Sequence, residues 1–445
     1  MRLFGTDGVR GVANGELTPE LALRVAEAAA TVLARGGKRL QVLVGRDTRW
    51  SGGMLEAAVT AGLCAAGAHV VKVGVVTTPG VAYLVRALGF DAGVVISASH
   101  NPSEYNGIKF FDGSGKKLPQ EVEREIEGIA LCQGSGRQRP CGSGIGLVVA
   151  DDAVARRYWE FLRGAVPVDL TGVKMVVDCA NGACSRYAPS LFSSLGAEVV
   201  ATSDRPDGLN INHRCGSTHP EVVAQRVIEH GAHVGLSFDG DGDRVILADE
   251  KGNLLDGDCL LGVMAWAWRE EGKLSADAVV GTVMSNLGLE IFLRGMGVTL
   301  VRSAVGDRYV LEEMERRGCP LGGEQSGHVI LRPLMPTGDG MLTGLEVLRI
   351  WRQRGRPISE LGRMVPRLPQ VLVNVPVNRK DAWQQSDRIM AMLEEVRRKL
   401  GDEGRVLVRA SGTEPVVRVM VEGPDREEVA RLARELARVV GEELA

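Results

Sequence analysis

The sequence predicts an α/β protein: three related α/β domains, each a βαβ unit in a mixed sheet, followed by a smaller C-terminal α+β domain. Two observations carry this. One pattern recurs three times, beginning at Leu40, Val173 and Ala278. Each copy is a short apolar strand, a polar turn with Gly or Ser, an amphipathic helix, a Gly break and a second apolar strand. Such a unit calls for parallel strands covered by helices, and widely spaced copies indicate repeated domains. The second observation is the change of pattern after Met364, where helix, two alternating strands and a long terminal helix follow one another.

Length and composition bound the answer. At about 100–200 residues per domain, 445 residues allow three or four. With 44% hydrophobic and 24% charged residues the chain is an ordinary globular protein. A net charge of −3 argues against nucleic acid as a partner. No apolar run approaches the ~18–20 residues of a membrane span, so no membrane partner is expected. The start "MRLFGTDGVRG" lacks the apolar centre of a leader, and the eight scattered cysteines suit a reducing cytoplasm. Cys179 with Cys184, or His213 with Cys215 and His219, lack paired metal-ligand spacing and are read as structural.

In chain order, residues 1–152 form the first domain, with the stretch 133–146 as a late surface loop. Residues 153–252 form the second domain, 253–366 the third and 367–445 the fourth. Three prolines in 364–378 mark a linker into the fourth domain. A helix is expected over 381–400, strands at 405–411 and 416–423, and a helix from Arg426.

Each domain carries one polar, Gly-rich loop. In the first, "GVVISASHNPSEYNGIKFF", a β-branched strand delivers Ser99 and His100 to its carboxyl end, where ligands of α/β sheets bind. Pro102 stiffens the loop, Asn106-Gly107 reads as the turn, and Lys109 follows on a returning strand. A hydroxyl so placed is a candidate nucleophile. In the second, "GLSFDGDGDRVIL", Asp239, Asp241 and Asp243 alternate with glycines. Three carboxylates in one tight turn repel unless a cation gathers them, and a small oxygen site suits Mg²⁺. Glu250 stands at position 12 of an EF-hand count, but Arg244 replaces the required Gly and strands flank the loop. Arg244 beside the acids makes sense where a phosphoryl oxygen also sits on the ion.

The third loop, "LGGEQSGHVIL", offers Glu324, Ser326 and His328, a set suited to sugar hydroxyls or an amine. The fourth, "RVLVRASGTEPVVRV", offers Arg409, Ser411, Gly412 and Thr413, with Arg418 adding charge. A guanidinium plus hydroxyls and exposed N–H groups is what phosphate recognition wants. A nucleophile, a Mg²⁺ site, a sugar reader and a phosphate clamp together point to phosphoryl transfer on a phosphosugar.

"SASHNP", "DGDGDR", "GEQSGH" and "RASGTEP", in this order along nearly the whole chain, resemble the α-D-phosphohexomutase superfamily. "FGTDGVRG", Gln325 and "NINHRCGSTHPE" at 210–221 are similar to its hexosamine-phosphate branch. The resemblance implies four domains around a central cleft. It implies a phosphoserine at Ser99 and one Mg²⁺ held by Asp239, Asp241, Asp243 and an oxygen of phosphorylated Ser99. It further implies that Arg10 and Arg244 neutralise phosphoryl charge and that Lys109, His100 or His328 transfers the proton. The implied activity interconverts glucosamine 6-phosphate and glucosamine 1-phosphate through glucosamine 1,6-bisphosphate, which is also the activator, and feeds UDP-N-acetylglucosamine synthesis. A mobile fourth domain and a homodimer are implied in the same way. Alternatives are a phosphoglucomutase/phosphomannomutase, a Mg²⁺-dependent phosphosugar phosphatase, and a non-catalytic phosphosugar sensor.

Overall fold

The computed structural model describes residues 3–5, 7–34, 37–132, 139–411 and 415–445. The chain divides into two compact units, Met1–Met284 with Val301–Arg363, and Ser285–Leu300 with Met364–Ala445.

Three sheets organise the first unit. The strands of the first are β1 (Phe4–Gly5), β2 (Gly8–Val12), β3 (Gln41–Arg46), β4 (His69–Val75), β5 (Ala92–Ile96), β6 (Tyr105–Asp112) and β7 (Val148–Ala150), in the order β1-β2-β6-β5-β3-β4-β7. The second holds β8 (Lys174–Asp178), β9 (Glu198–Thr202), β10 (Val234–Phe238), β11 (Val245–Asp249) and β12 (Leu254–Leu255), ordered β12-β11-β10-β8-β9. The third holds β13 (Ala278–Thr282), β14 (Thr299–Ser303), β15 (Leu321–Gly323) and β16 (Val329–Leu331), ordered β14-β13-β15-β16.

The sheets are mixed in the same way. A parallel pair leads into an antiparallel hairpin each time: β3 with β5 and then β6, β8 with β10 and then β11, β13 with β15 and then β16. The three polar loops occupy one topological position, the connection of that hairpin. β5 and β10 are buried along their whole length, as strands covered on both faces must be, which explains the apolar run of β5 and, Ser237 apart, that of β10.

The second unit pairs β17 (Gln370–Pro376), β18 (Arg405–Ala410) and β19 (Val416–Glu422) antiparallel in the order β17-β19-β18. The helices Asp387–Leu400 and Arg426–Leu444 bury Ile389, Leu393, Leu432, Leu436 and Val440 with Val417, Val419 and Val421 of the sheet.

Two expectations are corrected, and a third falls partly outside the described residues. The stretch 364–378 is only half a linker, because 370–376 is β17. Its position at the sheet edge is what tolerates a terminal proline. The helix expected over 381–400 is broken. A 3₁₀ segment covers Lys380–Gln385, and Ser386, accepting from the Ile389 N–H at 3.3 Å, caps a new helix at Asp387. Of the loop 133–146, residues 133–138 lie outside the described part, and the chain just beyond it adds β7 to the first sheet.

Candidate active site

The first loop is not the turn that the sequence suggests. Asn106 and Gly107 lie inside β6, paired with Gly11 and Arg10 of β2. The reversal is made earlier, by Ser97–Glu104, because the β2 partner holds Asn106 and Gly107 extended. Gly107 is required there, since a Cβ would stand 2.5 Å from the Ser97 carbonyl oxygen. Ser99 itself adopts the left-handed conformation, φ 51°. For a residue other than Gly this costs about 1–2 kcal/mol. It persists because the Ser99 N–H donates to Ser97 Oγ at 2.9 Å, and Ser97 Oγ donates to Asp47 Oδ2 at 2.6 Å.

The acidic loop meets this serine. Ser99 Oγ donates to Asp239 Oδ2 at 2.7 Å. Asp239, Asp241 and Asp243 are all buried, and one oxygen from each lies within 4.8 Å of the others. Gly242, at φ 74°, turns the chain so that they converge, and Gly240 leaves room for the Ser99 carbonyl, which a Cβ would approach to 2.6 Å. Burial, and then the mutual repulsion of the carboxylates, pushes Asp239 well above the usual carboxylate range and Asp243 upward too. Burial would also raise Asp241, but the Lys109 ammonium outweighs it and holds Asp241 low. Asp241 Oδ1 and Asp243 Oδ1 are buried without a hydrogen-bond partner. Crowded carboxylates with orphaned oxygens fit a small divalent cation with oxygen ligands.

Positive groups ring the cluster. Lys109, buried on β6, pairs with Asp241 at 2.8 Å and with Asp7 at 2.9 Å. Burial alone would lower its pKa, and these carboxylates reverse that and raise it. Arg10 pairs with Asp7 and reaches Asn101 Oδ1 at 3.4 Å. The Arg244 N–H donates to Asp239 Oδ1 at 3.2 Å, and its Nε lies 3.8 Å from Asp243. His100 places Nδ1 3.3 Å from Ser99 Oγ; burial, then Arg244 and Arg10, pushes its pKa down to about 3.

The third loop lies beside the acidic one, through a β-bridge between Arg244 and His328. His328 is buried, its Nε2 accepts from the Gly338 N–H at 3.3 Å and stands 3.8 Å from Asp307. Glu324 accepts from the Gly306 N–H at 3.0 Å, at the start of the helix Asp307–Arg317, and Ser326 is exposed at the hairpin tip. Within the first unit, therefore, Arg10, Ser99, His100, Lys109, the three aspartates, Arg244 and His328 form one constellation.

Within the second unit, Arg409 and Arg418 stand directly opposite each other across β18 and β19. Burial and the neighbouring guanidinium of Arg418 lower the pKa of Arg409. Ser411 is buried and its carbonyl accepts from Lys380 Nζ at 2.7 Å. Gly412 and Thr413 lie outside the described residues.

Sequence reasoning missed Asp7, Asp47, Arg49, Lys117, Asn212 and Asp307. Lys117 bridges Asp7 and Asp307, joining the first and third sheets' domains below the cluster. Asp7 was legible as the acid of "TDGVR" three residues before Arg10. Asn212 lies in "NINHRCGSTHPE" at 210–221, whereas Asp47 with Arg49, Lys117 and Asp307 sit on three further segments whose convergence has no local signal.

Models of the phosphoglucomutase/phosphomannomutase family match in order: α/β/α domain I over residues 1–134, domain II over 156–252, domain III over 256–368 and the C-terminal domain over 372–439. A phosphoglucosamine mutase of Moorella thermoacetica is 53% identical over 98% of this chain and 99% of its own. Among solved structures, a phosphoglucomutase/phosphomannomutase family protein of Burkholderia thailandensis superposes with a TM-score of 0.82 at 26% identity, covering 99% of this chain and 97% of that one. An N-acetylphosphoglucosamine mutase of Aspergillus fumigatus, solved in complex with GlcNAc-6P and magnesium, shares the fold at 18% identity, TM-score 0.69, over 100% of this chain and 96% of that one. Four domains matched in sequence, and one relative identical at over half its positions along almost its entire length, place the chain in the phosphoglucomutase/phosphomannomutase family, among its phosphoglucosamine mutases.

Proposed function

We propose that this isomerase interconverts glucosamine 6-phosphate and glucosamine 1-phosphate, with Ser99 as the phosphoryl carrier. The observation that carries the reading is Ser99 Oγ at 2.7 Å from a buried triad of aspartates that retains two unpartnered oxygens. A Mg²⁺ ion held by Asp239, Asp241 and Asp243 would supply charge neutralisation at the phosphoryl oxygens of phosphorylated Ser99.

Around it, the chain's own residues do the positioning. Arg10 and Arg244 face the phosphoryl group, and Lys109, engaged by two carboxylates, supplies fixed positive charge. The proton that Ser99 loses and regains passes through His100, whose Nδ1 lies 3.3 Å from Oγ, or through Lys109 or His328. Glu324, Ser326 and His328 read the sugar. Arg409, Ser411 and Arg418, with Gly412 and Thr413, bind the phosphate that is not being transferred. In the first half-reaction the sugar O1 bonds to phosphorus as the Ser99 Oγ–phosphorus bond breaks, and the O1 proton leaves to a basic group. The resulting 1,6-bisphosphate reorients; Ser99 Oγ gives up its proton and bonds to the 6-phosphorus as the O6–phosphorus bond breaks, O6 takes up a proton, and the sugar departs as the 1-phosphate.

The test is phosphorus NMR of the protein with Mg²⁺, a trace of sugar bisphosphate, and glucosamine 6-phosphate or glucose 6-phosphate in parallel. Faster formation of the 1-phosphate from glucosamine is expected. The reverse preference would move the protein to the glucose and mannose enzymes, and release of inorganic phosphate alone would make it a phosphatase.

A further inference from the structure

The loop that presents Ser99 is built around a side chain that the mechanism does not use. Arg49, from the connection after β3, is 1% exposed and lies beneath the loop. Its five N–H donors are all engaged. Nε donates to Asp47 Oδ2 at 2.9 Å. Nη1 donates to the carbonyls of Pro102 and, at 2.9 Å, Tyr105. Nη2 donates to the carbonyls of Ser99 at 2.9 Å and Asn101 at 2.8 Å. Three carbonyls of the Ser97–Glu104 reversal, and that of Tyr105 at the start of β6, thus point inward at one guanidinium, and that fixes the peptide planes on which the Ser99 backbone angle depends.

Two further links extend the arrangement. Asp47, the ion-pair partner of Arg49, also accepts from Ser97 Oγ, which in turn accepts the Ser99 N–H. Both peptide groups of Ser99 are therefore tied to the same buried pair. From the second sheet's domain, Asn212 Nδ2 donates to the Ser99 and Asn101 carbonyls at 2.9 and 3.1 Å. The residues flanking Arg49 are anchored to that domain as well, Thr48 Oγ1 on the Asn181 carbonyl at 2.6 Å and the Trp50 N–H on the Gly208 carbonyl at 2.9 Å. This is the domain that supplies Asp239, so Arg49 stands on a segment registered against the acids that Ser99 must reach.

We propose that Arg49, seated on Asp47, is the positioning residue that holds Ser99 in its left-handed conformation and aims Oγ at the aspartate cluster. Lysine cannot replace it: three donors on a flexible stem do not span four carbonyls and a carboxylate. The inference rests on Ser99 being the phosphoryl carrier, and its test separates the two.

The experiment compares Arg49→Lys and Ser97→Ala with the wild-type chain by steady-state kinetics on glucosamine 6-phosphate and by hydrogen exchange. Arg49→Lys is expected to lower kcat at least thirtyfold with KM within twofold, and Ser97→Ala at least fivefold. Exchange should rise in peptides covering 97–105 and stay at the wild-type level in β3, β4 and the second unit. In Arg49→Ala, millimolar ethylguanidinium should restore part of kcat, which a merely structural loss would not allow. Wild-type kcat in Arg49→Lys, or exchange rising throughout the first sheet in step with lost activity, would overturn the proposal. Should the wild-type protein turn over neither phosphosugar, the functional reading falls, and exchange confined to 97–105, or not, still decides the role of Arg49.

Discussion

At Ser99 the backbone and the side chain answer to different demands. The backbone is held at a positive φ that only a network could maintain, and the hydroxyl is thereby delivered to Asp239. Replacing Ser99 by Ala removes the oxygen and leaves the network, so turnover should fall by at least about 1,000-fold, with circular dichroism and thermal unfolding unchanged. Residual mutase activity near the wild-type level would refute the carrier role. Asp339, next to the segment that packs on the acidic loop, offers a second residue-scale test. It caps the helix Gly340–Arg354, accepting from the Leu342 N–H at 3.0 Å, and also accepts the Tyr158 hydroxyl at 2.7 Å. Burial, against these hydrogen bonds, pushes its pKa up to about 6. Its folded pKa exceeds the unfolded value, so the folded protein binds the extra proton between about pH 4 and 6 and this contribution declines as pH rises through 6. Above that, the buried carboxylate costs about 3 kcal/mol. Asp339→Asn keeps the capping oxygen, and Tyr158 can accept from the new amide. Urea unfolding should show a gain of up to about 3 kcal/mol at pH 7 and little at pH 4. Equal gains at both pH values would contradict it.

The recurring element is a parallel strand followed by an antiparallel hairpin, used three times with three different loops. Function therefore varies in the connection, while the strands that hold it keep one arrangement. This was legible in part. The run in β5 is apolar throughout and that in β10 is broken only by Ser237, because burial on both faces marks nearly every residue, and the βαβ copies were legible for the same reason. The position of the turn was not legible. Asn106-Gly107 carries the local preference for a hairpin turn, and pairing with β2 overrides it. In the second unit the missed break at Ser386 has the opposite cause, a local cap that ends one segment inside an otherwise helical pattern. The cap on the terminal helix is predicted to matter in proportion. Asp425 accepts from the Glu427 and Glu428 N–H groups at 2.8 and 3.0 Å. Asp425→Ala should cost about 1 kcal/mol, read as a lower urea midpoint with an unchanged slope. No shift would mean that packing of Leu432, Leu436 and Val440 alone sets the stability of this helix.

On the scale of the whole molecule, the proposed phosphate clamp of the second unit is tested by itself. Arg409→Ala should raise KM for the phosphosugar by about 10–100-fold, the worth of a charge-assisted hydrogen bond, while Ser99 is still phosphorylated by sugar bisphosphate, followed by intact mass. An unchanged KM would refute the clamp. Burial and the Arg418 guanidinium lower the pKa of Arg409, and an anion beside Arg409 would relieve both.

Taken alone, the sequence determined the fold class, the repeat of the first three domains, and the four loops with the chemistry of their residue types. Those features are local, written in periodicity, glycine placement and short motifs. Only the tertiary structure decided which of those groups meet and what holds them. It brought Ser99 to Asp239, paired Lys109 with Asp241 and Asp7, and set Arg49 beneath the loop. The reason is physical. A buried charge or a left-handed serine is stable only through partners that come from other strands and another domain, and sequence spacing carries no record of which distant segments will supply them.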